Sequence, residues 1–209
     1  MKPIKALLVL AIVLSPALAS AQGYYGRGGQ GAGYREPGGF HHRMGRIAYG
    51  GSLGIGFMSD NGNGLSCDNC GNYNPIAVEG DFHIGGFVAP RFALLFEGQF
   101  NAQTVHLDQG NGNGDSYVFN SAFMVAGQYW VTPMFWVKGG IGVAHLTVDN
   151  TYTSQDIGSG LAVMGAAGFE LVSTRFFALD LQGRIISSNY DGISDHITSG
   201  TIGVGLNWY

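Results

Sequence analysis

Charge is scarce in this chain. Asp, Glu, Lys and Arg make up 11% of its 209 residues, against roughly a quarter in soluble domains. Positive charge is scarcest, with ten Lys and Arg against fourteen Asp and Glu and a net charge of −4. That balance excludes nucleic-acid binding through a basic face. Glycine is abundant at 36 residues, but no G-X-Y period runs through it, which excludes collagen. Beyond residue 21 no apolar run approaches the ~20 residues a membrane helix needs. A chain of this kind that crosses a bilayer must do so as a closed barrel, because lipid leaves no other way to satisfy the backbone.

The first 21 residues read as a signal peptide. Lys2 and Lys5 form a positive start, residues 6–14 are an apolar core, and Ala19, Ser20 and Ala21 give the small-x-small cleavage pattern. Export through the Sec route follows, with cleavage before Gln22. Losing Lys2 and Lys5 leaves eight Lys and Arg against fourteen Asp and Glu. Residues 22–45, QGYYGRGGQGAGYREPGGFHHRMG, hold nine glycines and little that packs. They read as a flexible leader, since so little apolar surface cannot offset the entropy of ordering. Within it His41, His42, Arg27, Arg35 and Arg43 read as a solvated tail, with contact to an anionic periplasmic partner such as the cell wall as the alternative.

From residue 46 onward the pattern changes to alternation with period 2, the signature of strands. Eight segments follow, near 46–58, 76–88, 92–103, 117–131, 135–148, 160–172, 176–186 and 198–209. Three connections are tight, at 89–91, 132–134 and 173–175; four are long and polar, near 59–75, 104–116, 149–159 and 187–197. Short turns on one side and long loops on the other are the plan of an outer-membrane barrel. The faces agree with it. Val78, Phe82, Ile84 and Val88 oppose Glu79, Asp81 and His83; Phe92, Leu94, Phe96 and Phe100 oppose Glu97 and Gln99. Phe135, Val137 and Ile141 oppose Lys138, Phe169 and Leu171 oppose Glu170, and Leu179, Leu181 and Ile185 oppose Asp180 and Arg184. A cation at mid-bilayer on the lipid face costs about 2–4 kcal/mol, so these charges belong inside. The rest of the inner face is small: Gly54, Gly56, Gly140, Gly142, Ala144, Ala162, Ala166, Gly203 and Gly205. A soluble barrel with an apolar cavity would reverse this polarity.

Aromatic residues gather near strand ends: Tyr49, Phe92, Tyr129, Phe135, Phe177 and Trp208 at the short-turn side, Phe57, Phe100 and Phe119 at the other. Two interfacial girdles account for that placement. The chain stops on GVGLNWY at 203–209, with Ile202, Val204, Leu206 and Trp208 alternating and Tyr209 last. On these features residues 46–209 resemble the small OmpA/OmpX-type outer-membrane barrels. The fold class expected is all-β, an eight-stranded antiparallel up-and-down transmembrane barrel behind a signal peptide and leader. The resemblance implies that Ile202, Val204, Leu206, Trp208 and Tyr209 act as an assembly signal. It also implies partnership with outer-membrane lipid, periplasmic chaperones and the barrel-assembly machinery. One departure is that Trp208 shares the apolar face and Tyr209 does not.

Glu79, Asp81, His83, Glu97, Lys138, Glu170, Asp180 and Arg184 are the expected lumen charges. Acid outnumbers base among them, five to two with His83 aside. Buried charges need partners, so a salt-bridged plug is expected, with a proton or ion path as the alternative. Cys67 and Cys70 are the only cysteines. An oxidising compartment favours a disulfide between them; neither a thioredoxin context nor further zinc ligands accompany them. DNGNG at 60–64 and DQGNGNGD at 108–115 place glycine at the third position and carry no Glu at the twelfth. They depart from a calcium loop, and turn chemistry explains them. No metal and no cofactor are expected. His145 and Ser187, Ser188 and Asn189 lie near the long-loop rim, but no His-x-Ser segment with a nearby carboxylate occurs. The expected role is therefore non-enzymatic: stabilising the envelope, or binding an extracellular ligand through acidic Asn/Gly-rich loops. The alternatives are a lipid-modifying enzyme using His145 and Ser188 at the rim, or a narrow channel.

Overall fold

The computed structural model describes residues 43, 45–60, 63–64, 76–109, 112–150, 154–174, 177–190 and 196–209. The signal peptide, nearly all of the leader, and Cys67 and Cys70 lie outside the described residues. The elements are β1 (Ile47–Asp60), β2 (Asn63–Gly64), β3 (Ala77–Ala89), β4 (Phe92–Gln109), β5 (Gly112–Trp130), β6 (Phe135–Asn150), β7 (Ser154–Ser173), β8 (Phe177–Tyr190) and β9 (His196–Trp208). Each long strand pairs antiparallel with the next, and β1 closes the ring on β9 from Tyr49 opposite Trp208 to Asp60 opposite Ile197. The two-residue β2 folds back on the tip of β1, Asp60 facing Asn63. The eight long strands thus form a closed antiparallel barrel, in which no strand edge is left unpaired.

The strands run further than hydropathy indicates. The sequence places a polar loop at 104–116, yet β4 and β5 stay paired out to Gln109 opposite Gly112. The connections near 149–159 and 187–197 shorten in the same way, with Asp149 opposite Ser154 and Asn189 opposite His196. Above the bilayer both faces of a hairpin are wet, so no alternation is required. The ladder continues because paired backbone groups remain satisfied. In these three connections the described residues extend the strands as paired ribbons standing on the barrel.

The outer wall is apolar. Leu53 is 75% exposed and Ile202 65%, and Ile141, Val143, Leu161, Val163, Leu181 and Ile185 are also turned outward. Ringed below by Tyr49, Tyr129, Phe135, Phe177 and Trp208, all exposed, this surface is what a bilayer requires of a barrel. Tyr49 and Trp208 stack across the closing seam with ring centroids 5.6 Å apart.

The inner face is less uniformly small than the sequence implies. Trp130 and Trp136 point inward and are fully buried, as are Met58, Met124 and Ile186, and Met164 is buried beside them. Eight strands enclose only enough space for side chains. Gly140, Gly142 and Ala144 on β6, with Ala162 and Ala166 on β7, leave room that these long residues fill. Trp130 and Trp136 share parity with Gln128 and Lys138, so their even numbers give their direction.

Candidate functional site

The polar lumen is built on β3, β4, β6, β7, β8 and β9. Glu79 and Asp81 come from β3, Glu97 from β4 and Arg184 from β8; all are buried. Arg184 reaches across and joins all three, with Nη1 2.8 Å from Glu79 and Nη2 2.9 Å from both Asp81 and Glu97. Lys138, from β6, meets the other oxygen of Glu97 at 3.0 Å. Gln99 Nε2 donates to Glu79 Oε1 at 2.8 Å, and Ser52 Oγ donates to Asp81. His83 Nδ1 lies 3.5 Å from Asp81 Oδ1, with the ring buried. One guanidinium between three carboxylates, with a lysine behind one of them, spans the lumen between opposite walls.

A second layer closes the short-turn end. Glu170 Oε1 accepts from Trp130 Nε1 at 2.7 Å and from the Tyr209 hydroxyl at 3.0 Å. Asp180 Oδ2 accepts from Trp136 Nε1 at 3.1 Å and from Asn207 Nδ2 at 2.8 Å. Tyr209 therefore departs from the outer face because it is a lumen residue, while Ile202, Val204, Leu206 and Trp208 face outward.

Arg43 completes this layer and corrects the sequence reading. Assigned to a solvated leader, its side chain is 13% exposed and grips Glu170 with both nitrogens, at 3.1 and 2.8 Å. Its guanidinium also covers the rings of Tyr209 at 4.3 Å and Trp130 at 5.1 Å. A backbone turn delivers it. Gly45 sits at φ 74°, a left-handed conformation glycine adopts without a Cβ clash, and its N–H donates to Phe87 O at 3.1 Å. The signal for Arg43 was the acid excess itself: five carboxylates against two fixed cations call for another.

Ser188 and His145 stand on opposite faces of the wall. Ser188 is buried in the lumen, whereas the His145 side chain is 44% exposed on the outer face. The pair therefore cannot form one site. The acidic segments at 60–64 and 108–115 contribute paired residues at hairpin tips. Among the described residues no group of three His, Cys, Asp or Glu is placed to hold a metal.

Among solved structures, the chain is similar to Ail, the attachment invasion locus protein of Yersinia pestis, in complex with the heparin analogue sucrose octasulfate. That match has 13% identity and a TM-score of 0.54, covering 78% of this chain and 99% of Ail. This chain has the fold of the small OmpA/OmpX-type outer-membrane barrels. Neisserial surface protein A is also similar, at 10% identity and a TM-score of 0.48 over 78% of this chain and 95% of that one. No family model matches the sequence, and no curated protein matches it. As an outer-membrane barrel, the chain places its short turns, Arg43 and Tyr209 toward the periplasm and its ribbons outside the cell.

Proposed function

We propose that this protein is a sealed outer-membrane platform, with its work done on the outer wall and extracellular ribbons rather than through the lumen. The observation that carries this is Arg184 bound to Glu79, Asp81 and Glu97 across the barrel. A conducting lumen would have to break several ion pairs among buried groups at once, and orphaning a buried charge costs about 3–5 kcal/mol. Arg43 over Glu170 adds a second seal at the periplasmic end. The role that follows is envelope stabilisation or surface binding, with Asp60 and Asp149 marking the outer ends of β1 and β6 as acidic.

Single-channel recording of the barrel in planar bilayers tests this. Sealed behaviour means no stable conductance steps at moderate voltage, with steps emerging once Arg184 and Arg43 are both replaced by alanine. Steady conductance from the unaltered protein would remove the sealed-lumen reading. A second reading, action on lipid at the outer wall, is favoured by the surroundings of His145.

A further inference from the structure

On the outer wall His145 stands between a serine and an aspartate. Its Nδ1 is 3.0 Å from Ser159 Oγ, and its Nε2 is 3.3 Å from Asp156 Oδ1. The two partners use opposite ring nitrogens. With the proton on Nε2, beside the Asp156 carboxylate, Nδ1 is unprotonated and free to accept the Ser159 hydroxyl proton. Nucleophile, base and orienting acid are thus in mutual reach, the geometry by which such triads are recognised on unrelated folds.

The backbone is shaped for this grouping. Asp156 and Ser159 are three residues apart, so on a regular strand they would face opposite sides. The pairing of β6 with β7 shifts between Leu146 and Thr147: Leu146 faces Gly158, while Thr147 faces Asp156. Ile157 is the extra residue and packs against the interior cluster. Gly158 takes φ 148°, which a residue with a Cβ adopts rarely. This bulge turns Asp156 onto the outer face beside Ser159, and re-aiming a side chain is a known use of bulges near active sites.

Depth gives the substrate class. Phe135 lies in the periplasmic aromatic ring and His145 is ten residues further along β6. At ~3.4 Å per residue and a tilt near 40°, His145 stands ~26 Å above that ring. The apolar band of such barrels is ~25 Å tall. Val143 and Leu161, directly below, are each 57% exposed to lipid. The site therefore sits where acyl chains end and their ester carbonyls begin.

We propose that Ser159, His145 and Asp156 form a hydrolytic site for acyl esters of outer-leaflet lipids. Ser159 Oγ attacks the ester carbonyl carbon as its proton passes to His145 Nδ1. The carbonyl–oxygen bond to the lipid alcohol breaks, that oxygen takes the proton from His145, and the acyl group stays on Ser159. Water then attacks the acyl carbon, giving a proton to His145; the bond to Ser159 Oγ breaks, Oγ regains the proton, and a fatty acid leaves. Ser159 is the nucleophile and His145 the acid and base, while Asp156 is a positioning residue that holds the tautomer. The site does not depend on whether the lumen conducts.

The test follows fatty-acid release by outer-membrane fractions containing the full chain, mixed with detergent-dispersed vesicles. One arm offers phosphatidylethanolamine and the other an acylated glucosamine disaccharide lipid. Release from either supports the proposal, and the arm that reacts identifies the source of the ester. Ser159→Ala and His145→Ala are expected to lower the rate about a thousandfold. Asp156→Asn is expected to lower kcat at least tenfold with little change in KM. Each variant should keep the heat-dependent gel shift of a folded barrel. Ser187→Ala, which alters the separate Ser187 contact with His196 on β8 and β9, should retain the wild-type rate. No release from either lipid by the wild type, or a rate unaffected by Ser159→Ala in a folded barrel, would overturn the assignment.

Discussion

Among the described residues, two histidine–aspartate pairs are wired in opposite order. Inside, His83 and Asp81 lie 3.5 Å apart and buried, with the nearby Ser52 hydroxyl donating to the carboxylate rather than to the ring. Asp81 is further held by Arg184. Outside, His145 separates Ser159 from Asp156, and the side chains of His145 and Asp156 are 44% and 67% exposed. Where the serine meets the acid, the carboxylate paired with Arg184 is too weak a base to take its proton and the group is a structural clamp. Where it meets the imidazole, it can become a nucleophile. Residue types alone do not separate these cases; the order of contacts and access to substrate do.

Five substitutions sharpen or break that contrast, each read as a change in the urea midpoint at which the folded gel band is lost. Arg184→Ala has the largest expected effect, because Glu79, Asp81 and Glu97 lose their shared cation inside the barrel; about 3–5 kcal/mol is at stake. Ile141→Arg comes next, about 2–4 kcal/mol, by placing a cation on the lipid face near mid-bilayer; a neutral result would deny that this face meets lipid. Arg43→Ala should cost about 1–3 kcal/mol by leaving the Glu170 carboxylate short of a charged partner, whereas a freely solvated leader would register nothing. The smallest effects divide the two histidines. His83→Ala should cost about 1–2 kcal/mol as a buried polar partner of Asp81 is lost, while His145→Ala should stay within ~0.5 kcal/mol. Equal destabilisation at both positions would erase the distinction.

The membrane-spanning part of the fold was legible because lipid enforces a rule on every other residue. Val78 through Val88 and Phe92 through Phe100 could be sorted by parity, and the same parity directs Glu79, Asp81, Glu97, Lys138, Asp180 and Arg184 inward. Where that rule lapses, the reading fails. The pairing of β4 with β5 beyond Thr104 runs into polar, glycine-rich sequence, so it left no hydropathy signal. Arg43 lies before the first strand, and only the charge balance hinted at it. The His145 site was invisible for a related reason. Its serine and aspartate sit on the neighbouring strand, and a single extra residue, Ile157, switches the parity that places Asp156. Counting along one strand for His-x-Ser finds nothing, because the grouping exists only across the pairing of β6 with β7.

The most direct test of the claim that chemistry resides on the outer wall and not in the lumen is covalent labelling of the folded protein with a fluorophosphonate. The barrel should be labelled in its native membrane and the modified serine located by peptide mass spectrometry. Modification is expected at Ser159, dependent on His145, with the lumenal Ser52 and Ser188 untouched. Label on a lumenal serine, or none on Ser159, would contradict the claim.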